Sequence, residues 1–118
     1  MIIGVPIEIK ANENRVSMTP YAVRSLVDDG HRVLVQNNAG IKSGFSNEEY
    51  TANGAVLVGT MDEVYADSEM IVKVKEPQES EISKINDSQI VFTYFHFAAS
   101  KELTENIIKS NCIAIAYE

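Results

Sequence analysis

The chain has 118 residues, the size of a single domain, and 45% of its residues are hydrophobic while 23% are charged. This balance indicates a folded soluble domain rather than a disordered segment. Ten basic residues against seventeen acidic ones give a net charge of -7, which argues against a nucleic-acid partner. No apolar run approaches the ~20 residues that span a bilayer, and the amino terminus lacks a signal pattern. We therefore expect a cytoplasmic protein with no membrane partner.

Apolar segments of strand length alternate with segments of helical periodicity along the whole chain, which is typical of α/β proteins. The predicted strands are "IIGVP", "HRVLVQ", "AVLV", "MIVKV", "QIVFTYF" and "CIAIAY". The predicted helices are "TPYAVRSLVDDG", "SNEEYTANG", "TMDEVYADS", "SEISKI" and "KELTENIIKS". Capping boxes are expected at Ser46 with Glu49 and at Thr60 with Glu63, and Gly30 is expected to end the first helix. Thr19 and Ser100 are predicted N-caps.

These elements predict one domain over residues 1–118. Its fold is α/β, a three-layer, mostly parallel, doubly wound sheet of about six strands, flavodoxin-like or Rossmann-like, in the order 3-2-1-4-5-6. Right-handed crossovers bring the carboxyl ends of all parallel strands to one edge, and ligands bind there, where the strand order reverses. We therefore expect the functional residues to lie after the first, fourth and fifth strands.

The fourth predicted strand continues into "IVKVKEP", which places two lysines in an apolar segment. A lysine is rarely buried without a partner. Lys73 is predicted to pack its stem on apolar neighbours and to reach a carboxylate such as Glu8 or Glu69. Lys75 stands at the strand exit, where it is either a solvated lysine or a ligand-binding one.

Two further nitrogen-bearing side chains are expected at the same edge. His96 follows the fifth strand, where its imidazole is either held by a main-chain carbonyl or used in catalysis. Arg15 ends the polar loop "EIKANENR" after the first strand, and its guanidinium is either a surface group or a fork for a carboxylate. Together, Arg15, Lys75 and His96 suit a small anionic carbonyl compound.

Several common sites are absent from the sequence. The single cysteine, Cys112, cannot form an intrachain disulfide or a zinc site by itself, and no metal-ligand spacing occurs. No Gly-x-Gly-x-x-Gly fingerprint is present, so we expect no cofactor-binding residues in this chain.

The segments "IIGVPIEIKANENRVSMTP", "IVKVKEP", "FTYFHFAA" and "AIAYE" resemble the amino-terminal, substrate-binding domain of the alanine dehydrogenase family. That family is related to the alpha subunit of nicotinamide nucleotide transhydrogenase. The resemblance covers essentially the whole chain. The transhydrogenase branch typically lacks the second lysine of "KVKEP" and the histidine of "FTYFHFAA", so Lys75 and His96 together favour the dehydrogenase branch.

The resemblance implies an enzyme that converts L-alanine, NAD and water to pyruvate, ammonia and NADH. By the family's pattern, Arg15 binds the substrate carboxylate, Lys75 contacts the substrate near the reacting carbon and His96 transfers protons, with the division of acid and base roles between Lys75 and His96 left open. Family members continue past "AIAYE" into a nucleotide-binding domain that binds NAD. We therefore expect a fragment that is inactive alone and belongs to a homo-oligomer.

Two alternatives remain at this point. A domain of the transhydrogenase alpha-subunit type would take part in nucleotide chemistry without turning over pyruvate. A standalone α/β binding module would have neither activity.

Overall fold

The computed structural model describes residues 1–118, with six strands alternating with five helices. The strands are β1 (Ile2–Val5), β2 (Arg32–Gln36), β3 (Val56–Val58), β4 (Met70–Val72), β5 (Ile90–Thr93) and β6 (Ile113–Ala116). The helices are α1 (Pro20–Asp28), α2 (Asn47–Ala52), α3 (Met61–Asp67), α4 (Glu79–Ile82) and α5 (Lys101–Ser110). Single 3-10 turns cover Ile41–Ser43 and Phe97–Ala99. No helix is long and apolar enough to cross a membrane.

The six strands form one sheet in the order β3-β2-β1-β4-β5-β6, and every pair is parallel. This confirms the predicted strand order. The order reverses between β1 and β4, which pair through Ile3 with Met70, and β4 continues the sheet by pairing Ile71 with Val91 of β5. The carboxyl ends of β1, β4 and β5 are therefore neighbours, as a doubly wound sheet requires.

Helices cover both faces of the sheet because each face presents its own set of buried apolar side chains. Helices α1 and α2 pack over a core formed by Val5, Val23, Val33, Val35, Ala39, Tyr50 and Ala55. The other face carries α3, whose Val64 and Tyr65 pack with Ile71 of β4, and α5, whose Leu103 and Ile107 pack against Val91 and Phe95. Partly buried Ile85 contacts both of these smaller cores and joins them.

The predicted helix caps are confirmed with one exception. Thr19 accepts a hydrogen bond from the main-chain nitrogen of Ala22 at 3.2 Å, and the Ser46–Glu49 capping box has both of its bonds. Gly30 follows α1 with φ of 94°, a left-handed conformation that glycine adopts without strain. The predicted Thr60–Glu63 capping box forms only in part. The Glu63 main-chain nitrogen donates to the Thr60 hydroxyl oxygen as expected, but the Glu63 carboxylate accepts from the Thr60 hydroxyl rather than from the Thr60 main chain.

Strands β4 and β5 end earlier than predicted. The predicted strands run to Val74 and to Phe95, whereas the observed strands end at Val72 and Thr93. The physical reason is that side-chain carboxylates take over main-chain N–H groups at both exits. Val74 donates its N–H to Glu8, and Phe95 donates its N–H to Glu118, so neither group is available for regular pairing.

Candidate active site

Lys73 lies at the centre of a buried ionic network. Its side chain is 1% exposed, and its Nζ lies 3.1 Å from Glu8 Oε1 and 3.1 Å from Glu81 Oε1. Tyr65 donates its hydroxyl to Glu81 at 3.2 Å, and burial raises the pKa of this phenol well above its ordinary value. An ammonium held between two carboxylates and closed off from solvent is a permanent internal pairing, so Lys73 is not accessible to a ligand.

The prediction that Lys73 reaches a carboxylate is confirmed, and Glu8 is one partner. Glu69, the other predicted candidate, instead accepts a hydrogen bond from the main-chain nitrogen of Ile2. The second partner, Glu81, was missed by the sequence analysis. The available signal was the spacing from Gln78 to Glu81, because Glu81 forms a capping box that begins α4, accepting from the Gln78 main-chain nitrogen at 2.7 Å.

Glu8 also fixes the exit of β4. Its Oε2 accepts from the main-chain nitrogen of Val74 at 3.0 Å, and its Oε1 accepts from that of Lys75 at 2.9 Å. The main-chain carbonyl of Lys75 accepts from the Thr93 hydroxyl at 2.8 Å. The Lys75 backbone is therefore held on both sides, while its partly exposed ammonium forms no ion pair.

Arg15 is paired with Glu13, a residue that sequence reasoning did not single out. Arg15 Nε and Nη2 donate to the two carboxylate oxygens of Glu13 at 2.9 and 2.8 Å, and the Arg15 main-chain nitrogen donates at 3.0 Å. These bonds occupy the side-on fork of the guanidinium. Its end-on fork, formed by Nη1 and the second hydrogen of Nη2, remains available because the Arg15 side chain is 64% exposed.

The hydrogen bonds from Arg15, together with smaller contributions from the charges of Arg15 and Lys75, lower the pKa of Glu13 to about 2 against the opposing effect of burial. The pKa of Arg15 is raised by the same pairing. Glu13 thus stays ionised at neutral pH and orients Arg15. The charge of Lys75 also lowers the pKa of Glu13, so Glu13 interacts electrostatically with both Arg15 and Lys75.

Glu13→Gln should reduce the melting temperature slightly at neutral pH, and most of this effect should be gone near pH 2. The folded-state pKa lies below the ordinary value of 4.5, so the stabilisation is present above about pH 4.5 and is lost as the pH falls towards 2. Thermal unfolding followed by circular dichroism between pH 2 and 7 measures this. Glu105→Gln is the matched control, since Glu105 is exposed and lies 3.7 Å from Lys101. An equal loss for Glu13→Gln at pH 2 and pH 7 would assign the effect to packing instead.

His96 lies three residues beyond the end of β5 in a left-handed conformation, with φ of 57° and ψ of 42°. Its side chain is exposed and forms no hydrogen bond, so no main-chain carbonyl holds the imidazole. The hydrogen bond from the Tyr94 nitrogen to the Val74 carbonyl, 3.3 Å, continues the pairing between the segments after β4 and β5. This pairing brings the exits that carry Lys75 and His96 side by side.

Two cavities meet at Arg15. One, of about 550 Å³, is lined by Arg15, Val16, Ser17, Ser43, Phe45, Val74, Tyr94 and Tyr117. Of the three predicted site residues only Arg15 lines it; the segments of Lys75 and His96 reach it through Val74 and Tyr94, and the side chains of Lys75 and His96 line neither cavity. The other, of about 580 Å³, is lined by Ile7, Glu8, Glu13, Asn14, Arg15, Asn38, Ala39, Ile41 and Lys42. A smaller recess of about 200 Å³ between α4 and α5 carries three glutamates and no cationic side chain, which does not suit an anion.

The fold and this edge define a class: a doubly wound α/β domain with cationic and imidazole groups at its switch point and no metal cluster. A family model described as "Alanine dehydrogenase/PNT, N-terminal domain" matches residues 4–118. The chain belongs to this family.

Similar proteins agree with this assignment. The chain is 47% identical over its full length to an alanine dehydrogenase of Methanococcus maripaludis and 48% identical to one of Bacillus subtilis, covering 32% and 31% of those proteins. It superposes on a solved L-alanine dehydrogenase with a TM-score of 0.97 and 45% identity, covering 100% of this chain and 32% of that one. A transhydrogenase from Sinorhizobium meliloti gives a TM-score of 0.91 at 24% identity, covering 98% and 34%, and this likeness shows the fold alone. The chain thus spans about a third of the length of the relatives it matches.

Proposed function

We propose that this chain is the substrate-binding domain of an NAD-dependent alanine dehydrogenase, which converts L-alanine, NAD⁺ and water to pyruvate, ammonium, NADH and a proton. The observation that carries the proposal is the meeting of three strand exits at the switch point, with Arg15, Lys75 and His96 after β1, β4 and β5. The proposal is also supported by the relatives: over all 118 residues the chain is 44 to 48% identical in sequence to alanine dehydrogenases.

Arg15 would bind the substrate carboxylate. Glu13 occupies one edge of the guanidinium and leaves the end-on fork, whose two parallel N–H groups match the spacing of carboxylate oxygens. The anion would enter the cavity of about 550 Å³ that Arg15 lines, a volume larger than pyruvate requires. Glu13 would keep the fork oriented before the substrate arrives, which reduces the entropy lost on binding.

Lys75 and His96 would act at the reacting carbon. A protonated Lys75, free of any carboxylate partner, would donate a hydrogen bond to the carbonyl oxygen of pyruvate and stabilise negative charge that develops there. His96, exposed and with no hydrogen bond to its side chain, would transfer protons, since one imidazole nitrogen can donate a proton and the other can accept one. Neither side chain has to break an existing ion pair to engage the substrate.

NAD supplies the hydride acceptor when it is bound. The residues of this chain do not fit its pyrophosphate, because the segment between β1 and α1 contains no glycine and α1 begins only at Pro20 instead of directly after the strand. The proposal therefore assigns cofactor binding to a separate nucleotide-binding domain. The domain division, a homo-oligomeric assembly and a cytoplasmic location stay predictions.

The complete protein that contains this chain should form NADH from L-alanine and NAD, and the purified 118-residue chain should not. Hydride transfer requires a nicotinamide held against the substrate, and this chain has no dinucleotide-binding turn. Absorbance at 340 nm follows the reaction, and calorimetric titration of the isolated chain with NAD tests binding. Sustained NADH formation by the isolated chain would contradict the assignment.

Assays of the complete protein also distinguish the proposed function from the two alternatives, a transhydrogenase-type domain and a binding module. Hydride exchange between NADH and an oxidised NADP analogue, without alanine turnover, would support the transhydrogenase type; this chain shares its fold with the transhydrogenase from Sinorhizobium meliloti. The absence of both activities in the complete protein would favour a binding module.

A further inference from the structure

The carboxylate of Glu118 binds the main chain at His96. Glu118 Oε1 accepts from the nitrogens of Phe95 and His96 at 2.8 and 2.9 Å, and Oε2 accepts from the His96 nitrogen at 3.1 Å. The position of Glu118 follows from the sheet, because β5 and β6 pair Thr93 with Ala116 and the Tyr117 nitrogen donates to the Thr93 carbonyl. A single side chain thus satisfies two consecutive N–H groups just beyond β5.

These bonds support a residue whose backbone conformation is unfavourable. His96 has positive φ, a conformation that few non-glycine residues adopt and that needs support from its surroundings. Phe95 is fully buried and stacks on Phe97 with ring centroids 4.6 Å apart, which anchors the residues on both sides. With its neighbours anchored and its N–H bound to Glu118, His96 has one backbone arrangement and therefore one direction for its Cα–Cβ bond.

The same device occurs at the other two proposed site residues. The main-chain nitrogen of Lys75 donates to Glu8 at 2.9 Å, and that of Arg15 donates to Glu13 at 3.0 Å. Each of the three residues is therefore held at its own N–H by a different glutamate. A carboxylate accepting main-chain N–H groups forms charge-assisted hydrogen bonds, which are stronger than neutral ones.

We propose that Glu118 is a positioning residue for His96, acting through the main chain to hold the imidazole for proton transfer. This inference rests on the proposed function, because it assumes that His96 takes part in the reaction. Glu118 itself would not touch the substrate. Its removal should affect the rate of the chemical step and leave the binding of the substrate carboxylate at Arg15 intact.

The test compares Glu118→Ala with Glu105→Ala in the complete protein. Both variants remove one exposed acidic side chain of this domain, but Glu105 only faces Lys101 at 3.7 Å. We expect Glu118→Ala to lower kcat about 10-fold or more and to leave KM for pyruvate unchanged within about twofold. The reason is that the substitution would impair proton transfer in the transition state without affecting the groups that bind the substrate. Glu118→Gln should retain part of the activity, because one amide oxygen can still accept from both nitrogens. Normal kcat in Glu118→Ala, or a fall in activity that only follows a fall in melting temperature, would overturn the proposal.

Hydrogen exchange and a double-mutant cycle complete the test. Amide exchange across residues 95–96 should accelerate in Glu118→Ala and not in Glu105→Ala. In a His96→Ala background, adding Glu118→Ala should cause no further loss of kcat, since residues that act through one group are not additive. A further loss equal to that in the wild-type background would overturn the positioning role.

The single variants distinguish failure of this inference from failure of the proposed function. A fully active His96→Ala would refute the proposed role of His96. An inactive His96→Ala beside a fully active Glu118→Ala would refute only this inference.

Discussion

Lys75→Ala should lower kcat of the complete protein by at least about 100-fold and leave its melting temperature nearly unchanged. Loss of a single preorganised donor at a developing oxyanion has an effect of this order. The folded state should tolerate the change, because the contacts that hold Lys75 involve its main chain. Its N–H donates to Glu8 and its carbonyl accepts from Thr93, and alanine preserves both bonds.

Steady-state kinetics and thermal unfolding on the same preparations measure the two effects. Lys101→Ala is the matched control, because it removes an ammonium from α5 that is 90% exposed and lies 3.7 Å from its partner Glu105. The control should retain both activity and stability. Activity close to wild type in Lys75→Ala would show that Lys75 is a solvated strand-end lysine, which the sequence also allowed.

Lys73→Ala should destabilise the protein by about 3–5 kcal/mol, the range observed when one partner of a buried ion pair is removed. The substitution leaves the carboxylates of Glu8 and Glu81, both buried, facing each other without the ammonium that lies 3.1 Å from each. It also weakens the support of the β4 exit, since Glu8 holds the nitrogens of Val74 and Lys75. Urea unfolding monitored by circular dichroism gives the free energy of unfolding.

Two further variants separate charge from volume. Lys73→Met removes the charge while filling most of the space, so a loss similar to that of Lys73→Ala would identify the unpaired carboxylates as the cause. Adding Glu81→Gln to Lys73→Met should recover part of the stability, because it removes one of the two unpaired charges. Additive losses in this double variant would contradict an ionic origin. A strongly destabilised Lys75→Ala beside a stable but inactive Lys73→Ala would exchange the roles that we assign to the two lysines.

The types and order of the elements could be predicted from the sequence because they depend on local chemistry and on chain handedness. Runs such as "HRVLVQ" and caps such as Thr19 and Ser46 act within a few residues. Right-handed crossovers between parallel strands then allow only a few sheet topologies, and the predicted order 3-2-1-4-5-6 is one of these. The same reasoning predicts that residues after β1, β4 and β5 meet at one edge.

The partners of those residues were decided only by the tertiary structure. Glu81 lies eight positions beyond Lys73 on a separate helix, and a glutamate in a short helix is usually exposed. Only the tertiary packing that brings α4 to Lys73 and Tyr65 buries it. Glu118 reaches the His96 nitrogen because β6 pairs with β5 in a register set by contacts distant in sequence. Local patterns therefore determined which residues stand at the switch point. Which glutamate holds each of them depended on distances between strands and helices, and these exist only once the sheet has formed and the core has packed.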